Sequence, residues 1–98
     1  MEGTMKEQKA MDIMQKLWEI VRDNKCTMEE LYEDFSLRRR PCCAIRRMAR
    51  KAMERVETAH HRFVQIVQKY GFGEEYSLII RTDKLYCKSV EYAAFFGI

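Results

Sequence analysis

The stretch from Pro41 to Tyr70 constrains this chain more than any other. Ile45, Ala49, Ala52, Val56, Ala59, Phe63, Ile66 and Tyr70 recur at alternating steps of four and three. That spacing holds one apolar seam on one side of a helix, close to the heptad repeat of helices that pack at a shallow angle. Pro41 suits a first helical position, and Gly71 suits a left-handed stop. Read whole, the helix is on the order of 45 Å long. Such a length overhangs a small domain, which leaves two alternatives: a break near Thr58–His61, or a homodimer that covers the overhang through the long helix.

Upstream, residues 5–23 read as a first helix. Ala10, Met14, Leu17 and Val21 form its stripe, and Met11, Ile13, Trp18 and Ile20 broaden it. Asn24 is a suitable terminator. Thr27-Met28-Glu29-Glu30 then fits a capping box that opens a second, short helix, with Met28, Leu31, Tyr32 and Phe35 apolar and Glu29, Glu30, Glu33 and Asp34 opposite. Met5, Met11 and Met14 read chiefly as core, with an adaptable binding surface as the alternative.

Downstream, residues 72–75 read as a loop. Tyr76-Ser77-Leu78-Ile79-Ile80-Arg81 is rich in β-branched and aromatic types and reads as a strand; Leu85-Tyr86-Cys87 returns as its hairpin partner across Thr82–Lys84. Ser89 caps a last short helix from Val90 to Phe96, before Gly97. A hairpin of this size is marginal alone and must pack on helices. The expected fold is therefore mainly α (α+β): one domain over residues 1–98, a long central helix, a C-terminal β-hairpin and a short final helix.

Net charge is +3, but it is unevenly divided. Residues 1–37 carry −4, residues 38–70 carry +8 and residues 71–98 carry −1. From residue 38 to 55 there are eight cations against one acid, Glu54. Arg38, Arg39 and Arg40 precede Pro41, which disfavours helical backbone at Arg40 and so sets these three on a turn. Arg46, Arg47, Arg50, Lys51 and Arg55 then spread from about 100° to about 280° from Ile45 around the helix, filling the side opposite the seam. Charge blocks of this kind bear on partners more than on fold.

Little in the chain points to catalysis. It has no G-x-S-x-G, no H-E-x-x-H and no glycine-rich phosphate loop. His60 and His61 point about 100° apart on a helix and cannot share one metal from it; they read as one partly buried and one exposed side chain. Cys26, Cys42, Cys43 and Cys87 show no C-x-x-C spacing and read as reduced, partly buried thiols. No enzyme, metal or cofactor is expected. No apolar run approaches the roughly 20 residues that span a bilayer, and Met1–Glu7 lacks the features of a secretory signal. An intracellular, cytoplasmic chain without membrane contact follows as the expectation.

A short acidic-faced helix, a turn and a helix opening on cations together resemble the outline of a helix-turn-helix unit, over about a quarter of the chain and with the hairpin as a wing. The resemblance implies a transcriptional regulator that binds duplex DNA. Cys42, Cys43 and Ala44 stand where base-reading side chains would be expected, so phosphate contact is better supported than sequence reading. Arg38, Arg39, Arg40, Arg46, Arg47, Arg50, Lys51 and Arg55 are the candidate nucleic-acid-binding residues. No Phe, Tyr or Trp lies between Arg38 and Arg62, which argues against single-strand stacking. A second reading is an adaptor or inhibitor whose basic helix docks on an acidic protein surface. The plain alternative is a solvated face neutralised by Glu29, Glu30, Glu33 and Asp34, with Glu2, Glu7 and Asp12.

Overall fold

The apolar seam of the long helix finds its partners within the chain. The computed structural model describes residues 2–73 and 76–98, with side chains from residue 6 onward. They form three helices: α1 (Glu2–Ser36), α2 (Cys42–Tyr70) and α3 (Ser77–Phe95). Ile45, Ala49, Ala52, Met53, Val56, Ala59 and Phe63 of α2 are all buried. Helix α2 runs unbroken through Thr58–His61, where Thr58 Oγ1 donates back to the Glu54 carbonyl at 2.9 Å. Gly71 ends it with φ 64°, its N–H reaching Val67 O. Pro41 is the cap of α2 and not its first residue; its carbonyl accepts from Ala44 and Ile45.

The helices run up, down and up. Leu17 and Ile20 of α1 share a groove with Arg55 and Arg62 of α2, while Leu31 clusters with Ile45 and Ala49 near the other end. Helix α3 lies antiparallel to α2 and parallel to α1. His60 stacks on Tyr86, Trp18 meets Arg81, and Tyr32 meets Tyr92. The result is a rod of 55 × 19 × 17 Å. Small residues at Ala49, Ala52 and Ala59 let the three helices approach closely along the seam. The Ile45–Phe63 part of the seam, one of the two grounds for the dimer expectation, packs within the chain, while Ile13 and Ile20 on the wide stripe of α1, the other ground, stay exposed.

Two expectations are corrected. The two upstream helices are one. Met14, Leu17, Val21 and Met28, all buried, continue a single stripe through the supposed break. Thr27 Oγ1 donates to Asp23 O at 3.1 Å and Asn24 Nδ2 to Ile20 O at 2.8 Å, so both side chains bond within the helix. The capping box does not form, and with α1 continuous the helix-turn-helix outline is lost. The second correction concerns the C-terminal hairpin. No strand occurs among the described residues, and Tyr76–Cys87 belongs to α3 and its cap. Leu78, Thr82, Leu85, Ser89, Ala93 and Phe96 recur at steps of three and four, and Leu85 alone of these is only half-buried. Thr82 and Ser89 occupy buried positions by donating to the Leu78 and Leu85 carbonyls at 2.7 and 2.8 Å. Ser89 is therefore inside a helix and not its cap. The expected stop at Gly97 is present, with φ 74°. Of the expected loop at 72–75, Glu74 and Glu75 lie outside the described residues, as does the side chain of Met5.

No helix among the described residues is long and apolar enough to cross a membrane.

Candidate nucleic-acid interface

The turn between α1 and α2 is built on hydrogen bonds that set three arginines side by side. Arg38 N–H reaches Phe35 O at 3.2 Å and Arg39 N–H reaches Asp34 O at 2.9 Å. This is a Schellman closure of α1, and it requires left-handed backbone at Arg38, where φ is 52°. Glycine is the usual residue there; an arginine is strained. Asp34 also receives the side chains of two arginines, Arg40 Nε at 3.1 Å and Arg39 at 3.9 Å. Internal neutralisation thus occurs at the turn. Glu29, another of the expected neutralisers, pairs instead with Lys25 of its own helix at 2.8 Å. That bond holds the Lys25 ammonium above its usual range, against the lowering effect of burial.

Along α2 the eight candidates separate. Arg46 turns toward α3, its Nε donating to Phe96 O at 3.0 Å, where a cation complements the carbonyl end of a helix. Arg47, Arg50, Lys51 and Arg55 are exposed, Arg55 at the groove that α2 shares with Leu17 and Ile20 of α1. Together with Arg38 they form no ion pair among the described residues. Arg47, Lys51 and Arg55 follow at steps of four, about 6 Å apart along the axis. The turn has apolar neighbours: Phe35, Leu37 and Phe95 are 38%, 54% and 50% exposed, and the Phe35 and Phe95 rings meet edge to face at 5.4 Å.

A second gathering of cations lies between α1 and α3, away from α2. Arg22 and Lys25 come from α1, and Arg81, Lys84 and Lys88 from α3. Sequence reading passed over them because they sit in segments of net negative charge and only the fold unites them. The legible signal was the spacing of Arg81, Lys84 and Lys88 at steps of three and four.

His60 and Asp83 bridge α2 and α3, Nε2 to Oδ1 at 3.2 Å, and the imidazole stacks on Tyr86 with ring centroids 3.8 Å apart. His60 is half-buried and His61 exposed, as read. Among the described residues no three His, Cys, Asp or Glu side chains are placed to hold a metal. All four cysteines are exposed free thiols, which corrects the expectation of partial burial: each falls off the buried stripe of its helix. Set against protein-family models, curated proteins and solved structures, the chain matches none.

Proposed function

We propose that this chain is a non-enzymatic binding module that holds duplex DNA by its phosphates, without reading bases. The observation that carries this reading is the row Arg47, Arg50, Lys51 and Arg55, with Arg38 at its end. All five are exposed and without a carboxylate partner among the described residues. Cations left free in this way are available to displace counterions from a polyanion. Arg39 and Arg40, already paired with Asp34, are secondary, and Arg46 is held by α3.

The test is binding to a random duplex across a salt series. If Arg47 and Lys51 each meet a phosphate, the R47E/K51E variant flattens the log–log salt slope by about 2. Absence of binding at low salt, or an unchanged slope, would overturn the reading.

A second reading, docking on an acidic protein, draws support from exposed Phe35, Leu37 and Phe95 beside the arginine turn. Apolar anchors with arginine are common at protein interfaces and idle on a phosphate backbone. L37Q separates the two: duplex affinity stays unchanged, while a protein interface at this end weakens.

A further inference from the structure

The groove between α1 and α3 differs from the α2 face in having an apolar floor between its cations. Its volume is about 540 Å³. The floor is apolar, made by Trp18 and Leu85. One bank carries Arg22 and Lys25, the other Arg81, Lys84 and Lys88. The two guanidiniums lie over the indole, with Arg22 Cζ at 4.8 Å and Arg81 Cζ at 4.5 Å from the ring centroid. Trp18 Nε1 is buried with no hydrogen-bond partner among the described residues, which is unusual for an indole N–H.

Among the described residues no acid lines the groove itself. The nearby carboxylates lie at its margins: Asp23 on Arg22, Glu29 on Lys25 and Glu91 on Lys88. Asp83 faces the other way, toward His60. The three marginal pairs are between neighbours on one helix, with the acids 49–69% exposed, so they exchange readily for a ligand's carboxylates. Arg81 and Lys84 have no such partner among the described residues.

We infer that this groove docks an acidic amphipathic helix of a partner protein, apolar side down on Trp18 and Leu85 and glutamates or aspartates against both banks. Helix-in-groove recognition of this kind needs apolar anchors at steps of three and four and flanks of the right sign. The cations from Arg81 to Lys88 cover two helical turns, about 10 Å. A polynucleotide would satisfy the banks but leave the apolar floor unfilled. No residue of α2 lines the groove, so this inference stands or falls independently of the duplex reading.

Trp18 is the one tryptophan of the chain, and its emission reports on the groove directly. The probe is a helical peptide of about 14 residues, with leucines at steps of three and four and glutamates on both flanks. Titrated into the full chain, it should shift Trp18 emission saturably. R81E/K84E should weaken binding at least about tenfold with unchanged circular dichroism, and K88E, on the same bank, should weaken it as well. R47E/K51E should leave it unchanged. The inference is overturned by an absent or unsaturable response, by equal affinity of the peptide with glutamines for glutamates, or by sensitivity to R47E/K51E. It is also overturned, in favour of a nucleic-acid groove, if a duplex moves Trp18 emission at lower concentration than the peptide.

Discussion

Arg38 is where stability and binding pull apart. Its left-handed backbone places a β-carbon against the following carbonyl, a strain of roughly 1–2 kcal/mol, and glycine would relieve it. R38G should therefore stabilise the fold by about 0.5–1 kcal/mol after the entropy of glycine is counted, while removing one free cation from the turn. Chemical denaturation and the salt-dependent duplex assay together check both halves. Lys25 illustrates a smaller effect. Its folded-state pKa is raised by the bond to Glu29, so the stabilisation is complete at neutral pH and is lost only as pH rises past the ordinary lysine range. For an exposed pair at i, i+4 it amounts to about 0.5 kcal/mol or less. K25M should thus change stability only slightly at pH 7, and the difference should vanish in strong alkali.

At the scale of the element, continuity of α1 gives the sharpest test. Cys26 is exposed, so a substitution there removes little packing. Within an unbroken helix C26P should cost about 3 kcal/mol or more, whereas two helices meeting at Asn24–Thr27 would tolerate it. Urea denaturation distinguishes the two. In α2, F63A empties a fully buried aromatic position and should cost about 3–5 kcal/mol. Helix α2 was legible because its seam is apolar throughout and ends at a glycine. Helix α3 was not, because Thr82 and Ser89 stand in its buried stripe and break the apolar pattern, while Leu78-Ile79-Ile80 imitates a strand. A hydroxyl that bonds the carbonyl four residues back can occupy a helical core, and composition alone does not reveal it. Asn24 and Thr27 misled in the same way. Side chains that usually end or begin helices here bond inside one, since α2 offers a long apolar surface that rewards an uninterrupted partner. The candidate cations were legible one by one; that Arg46 serves α3, and that Arg22 meets Arg81 over Trp18, depends on contacts between distant segments.

For the molecule as a whole, the rod shape sets the footprint on a duplex. The free cations of α2, Arg47 to Arg55, span about 12 Å of helix axis, which corresponds to about 4 base pairs, with Arg38 beyond them on the turn. Duplex affinity should rise steeply with length up to roughly that size and then only statistically. The two cationic surfaces share no residue: one lies on α2 and the other between α1 and α3, on a rod 19 by 17 Å in section. One chain could therefore hold a polyanion on α2 and an acidic helix between α1 and α3 at once, joining the two without either touching the other.

The hydroxyls buried in α3 also bear on how the molecule opens in time. A seam carrying Thr82 and Ser89 gains less from leaving water than the aliphatic seam shared by α1 and α2. Helix α3 is then the part that lifts away first, in a partial opening that leaves the α1–α2 hairpin in place. Its amides should exchange with deuterium ahead of those around Val56. Because the groove beside Trp18 exists only while α3 is seated, any ligand held there slows that exchange and leaves the hairpin's own rhythm nearly untouched.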